Sequence, residues 1–227
     1  MADWDSADLL ARVKRDGAIP AVDEDMADAD WYAYLTEAQI YWHGQFATHF
    51  PWILWSAPTL LVSADGGITY AMPGGVNPSK IEVYDAVGGR LLVPGAYWSM
   101  GADYVWEGSR IRMPRNVPRS FGDGPYARYI AAPPKIDAAT QPVLLPDWAR
   151  ALLPPRALML WADRGGLRDP APYQRKENEL WYGEPQRGQF GILVTLKTQN
   201  PFGGAAAIRR DETVSGLGYF SALYGKG

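Results

Sequence analysis

The period of the hydrophobic pattern changes twice along this 227-residue chain, and this order of patterns constrains the fold more than any other feature. Apolar residues recur at helical spacing up to residue 57, follow strand patterns over 58–133, and return to helical spacing from 146. We therefore predict an α+β protein, a helical bundle with an inserted antiparallel β region and an extended C-terminal arm. The predicted segments are N-terminal helices 1–57, the β region 58–133, returning helices 134–199 and the arm 200–227.

The N-terminal segment contains two helix patterns. The first covers residues 6–15, with Ser6 predicted as the N-cap and Gly17 as a left-handed C-cap. The second covers residues 31–49, and its apolar positions repeat every three or four residues as Trp31, Tyr34, Leu35, Ala38, Trp42 and Phe46. Such a stripe is more often ordinary core than a binding face.

The β region consists of short strand patterns separated by glycine and proline turns. Two hairpins are predicted, one joining 59–62 to 68–72 and the other joining 103–106 to 110–113. Further strands are predicted at 80–87, 90–93 and 126–131. Helical patterns follow at 147–153, 156–162 and from Pro170 onwards, whereas 189–199 fits either a strand or a helix.

The residue types leave little room for a catalytic or metal site. The chain has no cysteine, which excludes disulfides, thiolate nucleophiles and cysteine-ligated metals. His43 and His49 are six residues apart, so they do not share a helix face as a metal-binding pair would. The acidic stretch 23–30 lacks the spacing of a calcium loop. We predict no catalytic residue, no metal site, no cofactor and no membrane span.

Charge is distributed unevenly along the chain. Residues 1–30 carry nine acidic and three basic side chains, a balance of −6, while the whole chain carries −3. Such an acidic segment suits docking against another protein, or is simply a solvated loop. Residues 106–136 have a balance of +4. Their arginines could face nucleic-acid backbone, or form a polar sheet face or subunit interface, and the candidates for DNA contact are Arg110, Arg112 and Arg115.

Three short stretches carry a resemblance to a known family. The first runs Leu9-Leu10-x-Arg12-Val13-Lys14-Arg15-x-Gly17-x-Ile19-Pro20 and is followed by Asp28 and Asp30. The second is the strand end Ile68-Thr69-Tyr70-Ala71-Met72-Pro73. The third comprises Pro146-x-Trp148 through Leu153, Arg156-Ala157 and the helix after Asp169. In this order they resemble the head-to-tail adaptor proteins of tailed double-stranded DNA bacteriophages.

The resemblance implies a structural virion protein rather than an enzyme. Family members form a homo-oligomeric ring, here expected to be a dodecamer, which joins the portal protein to tail or neck proteins. DNA passes through the channel without sequence-specific binding, and the protein, made in the host cytoplasm, ends in the neck of the virion. Ring packing would involve Trp31, Leu35, Trp42, Phe46, Trp148, Leu152 and Trp161. The arm would dock on the portal through Phe202, Tyr219, Phe220 and Tyr224.

Two alternatives remain open at this point. One is another neck or tail-completion protein, which differs from an adaptor only in its position in the particle. The other is a carbohydrate-binding or glycan-hydrolysing module in which Trp98 and Trp106 line a sugar groove. Its paired carboxylates would come from Glu82, Asp85, Asp103 or Glu107, and their separation is the test of that chemistry.

Overall fold

The computed structural model describes residues 5–19, 26–63, 65, 68–72, 78–95, 102–107, 110–113, 125–139, 143–165, 168–184 and 187–198. Helices and strands both occur among them, which confirms the α+β class. The chain divides into two compact units, Met1–Ala157 and Leu158–Gly227, and this division falls inside the predicted returning-helix segment 134–199. Several predicted features lie outside the described residues, namely Trp98, Arg115 and the arm 200–227 with Phe202, Tyr219, Phe220 and Tyr224.

Five helices and nine strands are formed by the described residues. The helices are α1 (Ser6–Asp16), α2 (Asp28–His49), α3 (Leu153–Gly165), α4 (Ala171–Tyr182) and α5 (Ile192–Thr198). The strands are β1 (Thr59–Leu60), β2 (Thr69–Ala71), β3 (Pro78–Tyr84), β4 (Pro94–Gly95), β5 (Tyr104–Glu107), β6 (Arg110–Arg112), β7 (Tyr126–Ala131), β8 (Gly183–Glu184) and β9 (Gln189–Phe190). No helix in this described part is long and apolar enough to cross a lipid bilayer.

The N-terminal cap of α1 is Asp5, so the prediction of Ser6 was wrong. The Asp5 carboxylate accepts the backbone N–H of Asp8 at 2.9 Å, as a capping side chain does. Ser6 is buried inside the first turn, and its hydroxyl donates to the carbonyl of Ala138 at 2.7 Å. The serine therefore anchors the helix to a distant segment rather than capping it.

The end of α1 also differs from the prediction. Gly17 keeps a right-handed conformation (φ −87°) and its N–H donates to the Val13 carbonyl at 2.9 Å. The left-handed residue is Ala18, with φ 51°. The glycine thus still belongs to the last turn, and the chain reverses one residue later. The predicted end of α2 at residue 49 is confirmed, although that helix begins earlier than predicted, at Asp28.

The α1 and α2 helices pack together at the start of the chain. Leu9, Leu10 and Val13 of α1 are buried, which places its apolar stripe in the core. Lys14 is also largely buried, and its Nζ lies 2.6 Å from a carboxylate oxygen of Asp28. This ion pair fixes the end of α1 against the first turn of α2, where an acidic side chain also complements the helix dipole.

The β region forms two sheets, and the first predicted hairpin was wrong. One sheet has the strand order β1-β7-β3 and the other β2-β6-β5-β4. β1 and β2 therefore belong to different sheets, and only an isolated bridge between Ser63 and Tyr70 joins the two stretches. Since the Leu61 N–H donates to the Pro125 carbonyl at 2.9 Å, the backbone bonds of this stretch go to a segment far along the chain.

The second predicted hairpin is confirmed, since β5 and β6 pair antiparallel with Val105 opposite Arg112. β4 pairs with β5 in parallel, which departs from the predicted antiparallel arrangement. The predicted strand 90–93 is reduced to a single bridge between Tyr84 and Leu91. Both sheets contribute to one apolar cluster, composed of Leu61, Tyr70, Met72, Val83, Leu92, Tyr104, Ile111, Met113 and Ala127.

The predicted helix 147–153 was wrong. This stretch is a turn followed by the 3₁₀ helix Arg150–Leu152, and α3 begins immediately afterwards. Pro154 and Pro155 lie in the first turn of α3, where a missing N–H costs no helical hydrogen bond. Both prolines therefore belong to the start of α3.

In the second unit, α4 corresponds to the helix predicted from Pro170. The ambiguous stretch 189–199 contains both kinds of structure, since β9 leads into α5. The backbones of β8 and β9 approach each other closely at Gly183 and at Gly191, the residue after β9. Gly183 has φ 82°, and a Cβ atom there would approach the Gly191 nitrogen to 2.3 Å, so this pairing requires glycine.

Candidate functional site

The long helix α2 has few charged side chains beyond its first turn. Between residues 31 and 49, all described by the structure, Glu37 is the only acidic side chain and no lysine or arginine occurs. The inner side of the helix is deeply buried, with Trp31, Leu35, Ala38, Trp42 and Phe46 all in the core. The predicted stripe therefore forms the core of the first unit.

The outer side of α2 is exposed and bears a single charged side chain, the partly buried Glu37. The exposed positions between 31 and 48 are Ala33, Ile40, Tyr41, Gly44 and Thr48, which we call the outer face of α2. At 3.6 residues per turn they fall within an arc of about 100°. Ile40 is 53% exposed and Tyr41 is 38% exposed. A solvent-facing helix surface normally carries several charged residues, and the outer side of α2 is poorer in charge than that.

Local contacts hold the outer face in a fixed shape. The Arg156 guanidinium lies over the Tyr41 ring, 3.6 Å from its centroid, and the Trp42 ring meets Tyr41 edge-on at 5.3 Å. At Gly44 an added Cβ would meet no atom within 4 Å. The small residues therefore leave a shallow surface beside a fixed aromatic ring, into which the side chains of another helix could pack.

The residues predicted for ring packing fall into two groups. Five of them pack inside their own chain and are almost fully buried, namely Trp31, Leu35, Trp42, Phe46 and Leu152. Trp148 is 45% exposed and meets Phe46 edge-on at 5.7 Å. Trp161 is partly buried, with the Arg168 guanidinium 4.1 Å from its centroid. Of the residues predicted for ring packing, a neighbouring molecule could therefore reach Trp148 and Trp161. The predicted stripe missed the outer face of α2, which the scarcity of charge in 31–49 could have revealed.

Two of the three arginines predicted to face DNA, Arg110 and Arg112, lie within the part of the chain that the structure describes. Arg112 lies 2.9 Å from the Glu107 carboxylate. Arg110 is exposed and stands opposite Glu107 in the register of β5 and β6. Glu107 thus pairs with Arg112, and DNA contact stays a prediction.

The carboxylates of the carbohydrate alternative all have structural partners. Asp103 receives both terminal guanidinium nitrogens of Arg90 at 2.9 Å and the Val93 N–H at 2.9 Å, and the Arg90 bonds hold its pKa below the usual range. The Asp85 carboxylate accepts the Arg90 N–H at 2.7 Å. Glu82 accepts the Tyr84 hydroxyl, and Glu107 pairs with arginine as described above. Trp106 is partly exposed. Their contacts therefore indicate that these carboxylates stabilise turns and strands.

A cavity of about 230 Å³ lies beside α2. It is lined by His43, Leu54, Ser56, Tyr129, Ala131 and Leu144. His43 is only 4% exposed, and its burial lowers the pKa of the imidazole below the usual value. The Ala131 backbone acts in the opposite direction, as expected for a carbonyl that accepts a ring N–H. Among the described residues, no three His, Asp or Glu side chains are grouped as metal ligands would be.

The lowered pKa of His43 predicts how stability depends on pH. A folded pKa below the unfolded value of about 6.5 means that the unfolded chain binds the proton more readily. The stability is therefore present above pH 6.5 and is lost as the pH falls towards the folded pKa, with a slope of at most about 1.4 kcal/mol per pH unit. Urea unfolding between pH 7.5 and 5.5 measures this slope.

The neighbouring histidine supplies the control for that measurement. His43→Gln should flatten the slope, whereas His49→Gln, a change at an exposed position of the same helix, should leave it unchanged. An equal slope in the wild type and in His43→Gln would contradict the assignment of the pH dependence to His43.

Comparisons with known proteins do not identify the chain. No family model matches the sequence, and a search of curated proteins gives no significant match.

Proposed function

We propose that this chain is a head-to-tail adaptor, a structural virion protein whose copies form a ring between the portal protein and the tail. The ring would extend the DNA channel without reading its sequence. The observation that supports the proposal is the outer face of α2, a surface on a long helix on which Glu37 is the one charged side chain. The choice of the head-to-tail adaptor family rests on the order of the short sequence motifs that resemble it.

The outer face fits a contact between copies of the chain. A closed ring requires every subunit to present one surface to the next, and the centre of a stable interface is depleted in charge and enriched in aromatic residues. Ile40 and Tyr41 supply exposed apolar area, and Gly44 allows close approach of a neighbouring helix. Packing against a second copy would remove this surface from water.

The N-terminal motif has a definite role in this arrangement. Its residues Leu9, Leu10 and Val13 are buried, and Lys14 pairs with Asp28 at 2.6 Å. The Ile19 N–H donates to the Lys14 carbonyl at 2.8 Å, which closes the end of α1. The residues that carry the resemblance thus fix the corner between α1 and α2, and that corner holds the outer face in place.

Quantitative mass spectrometry of purified particles of the source virus tests the proposal. The amount of this chain is compared with that of the portal protein and the major capsid protein. We expect a ratio near one to the portal, as for a ring matched to it. Presence at a clearly different ratio would favour another neck or tail-completion protein, and absence from the particles would refute every virion function.

A matched pair of variants tests the outer face itself. Ile40→Glu introduces a charge on the outer face, and we expect its incorporation into particles to fall at least about tenfold, because a buried unpaired charge is strongly unfavourable. Gln45→Glu adds the same charge on the same helix outside this face and should be incorporated like the wild type. Circular dichroism of both purified variants checks that they fold. Normal incorporation of Ile40→Glu would exclude the outer face as the ring contact.

A further inference from the structure

The β1-β7-β3 sheet carries a line of apolar and aromatic side chains across its strands. Leu60 of β1 stands opposite Tyr126 of β7, which in turn stands opposite Tyr84 of β3. An isolated antiparallel bridge joins Tyr84 to Leu91 on the next stretch of chain. Residues that stand opposite one another in antiparallel strands lie on the same face of a sheet. These four residues therefore form one line across four stretches of chain, which we call the sheet row.

The sheet row lies on the outer face of the sheet. Leu60 and Leu91, at its two ends, are exposed, whereas the residues that follow them, Leu61 and Leu92, are buried in the apolar cluster. Successive side chains of a strand point to opposite faces, so the burial of one set leaves the other on the surface. The two tyrosines between the leucines are partly buried.

Two valines enlarge this apolar surface. Val62 comes two residues after Leu60 and Val93 comes two residues after Leu91, so each extends the same face. Val62 is 73% exposed and Val93 is 53% exposed. Single apolar residues on a surface are ordinary, but a contiguous set that crosses several strands is typical of a protein–protein contact.

A ring needs a second surface of this kind on every subunit. When copies are related by a rotation other than a two-fold, they meet head-to-tail, and each copy presents two different surfaces to its two neighbours. The outer face of α2 is one surface of the proposed ring. The sheet row belongs to the same unit, Met1–Ala157, and is a separate exposed apolar surface on it.

The two surfaces agree in length. Neighbouring strands lie about 4.8 Å apart, so the sheet row spans about 14 Å. The stretch of α2 from Ile40 to Thr48 spans about 12 Å at 1.5 Å per residue. Between them lies Gly44, at which an added Cβ would meet no atom within 4 Å, so the helix backbone can come close to a flat sheet there.

The charges beside the two surfaces are also complementary. Glu82 stands opposite Arg128, one step along the strands from the sheet row and on the same face. The outer side of α2 carries Glu37, and the Arg156 guanidinium lies over the Tyr41 ring. Each surface thus has one acidic and one arginine side chain, which allows Glu37 to face Arg128 while Arg156 faces Glu82. Complementary charges of this kind fix the register of two partners.

We propose that the sheet row of one copy receives the outer face of α2 of the next copy, so that two different surfaces close the ring head-to-tail. The inference rests on the proposed adaptor function and names the surface that its α2 contact meets.

Cross-linking inside virus particles tests this contact. The chain has no cysteine, so introduced cysteines are its only thiols. One double variant combines Ile40→Cys with Leu60→Cys and the other combines Ile40→Cys with Leu91→Cys, which covers both ends of the sheet row. After treatment with a short bismaleimide, we expect at least one double variant to give a ladder of dimers, trimers and larger species, and every single variant to stay monomeric.

The other outcomes separate this inference from the adaptor function. Dimers from Ile40→Cys alone would show that the outer faces of two copies meet each other, which would overturn the inference. The same holds if neither double variant gives a ladder in particles that contain the chain at the ratio of the portal, although the adaptor function would then stand. Absence of the chain from particles would refute both.

Matched variants control for chance proximity and for misfolding. Gln45→Cys combined with Leu91→Cys places one thiol on α2 outside its outer face and should give no ladder. Leu91→Glu should lower incorporation into particles at least about tenfold, because the contact would bury the added charge. Val87→Glu adds the same charge at an exposed position outside the sheet row and should be incorporated like the wild type. Circular dichroism of the purified variants checks their folding, and normal incorporation of Leu91→Glu would exclude the sheet row.

Discussion

Replacing Phe46 by alanine is expected to lower the free energy of unfolding by about 3–5 kcal/mol. Phe46 is fully buried at the centre of an aromatic cluster, with ring centroids 6.3 Å from Trp42, 6.5 Å from Phe50 and 5.7 Å from Trp148. Removal of the ring deletes its burial and leaves a cavity that three rigid rings cannot readily collapse to fill. Urea unfolding followed by far-ultraviolet circular dichroism measures the loss.

The matched control for Phe46→Ala is Ile40→Ala on the same helix. Ile40 lies on the outer face and its change to alanine should alter stability by no more than about 0.5 kcal/mol in the free chain. A loss below about 1 kcal/mol for Phe46→Ala would mean that the inner side of α2 is not the core of the first unit.

Replacing Gln39 by leucine is expected to cost about 2–4 kcal/mol, although the new side chain is more apolar. The Gln39 amide is fully buried, and its Nε2 donates to the Pro134 carbonyl at 2.8 Å. Its Oε1 accepts the Leu144 N–H at 3.0 Å. Leucine fills similar space but leaves both backbone groups without a partner in the interior, and each such group costs about 1–3 kcal/mol.

The control for Gln39→Leu is the same change at Gln45, which is half-exposed on the same helix. We expect Gln45→Leu to remain within about 0.5 kcal/mol of the wild type in denaturant unfolding. If the two leucine variants were equally stable, Pro134 and Leu144 would not depend on the amide of Gln39 for their attachment to α2.

The candidate site illustrates what a periodic pattern misses. The stripe of Trp31, Leu35, Trp42 and Phe46 is the part of α2 that packs inside the chain, because apolar repetition identifies the side of a helix that needs burial. A second surface shows itself through missing charge rather than through repeated apolar residues. The outer face of α2 is a surface of this kind. Its exposure becomes visible only in the structure, where the opposite side of the helix is buried.

The turns show where local signals are decided by distant partners. Asp65 and the glycines after it favoured a hairpin, yet β1 pairs with β7 and β2 pairs with β6. A turn signal indicates that the chain can reverse direction there. Which strands then pair depends on the arrangement that best buries their apolar residues. Similarly, Ser6 is a good capping residue, and its hydroxyl is instead used by the Ala138 carbonyl, 132 positions away.

The sequence by itself determined the α+β class, the positions of α1, α2 and α4, and the strands β5, β6 and β7, because these depend on periodicity within one short stretch. Tertiary structure alone decided the pairing of the sheets, the attachment of Pro134, Ile136 and Leu144 to α2 through Gln39 and Thr36, and the cavity that contains His43. Thr36, for example, accepts the N–H of Ile136 at 2.9 Å across 100 positions. Such contacts arise from the meeting of distant segments, and the energy that selects them is not encoded in any single window of the chain.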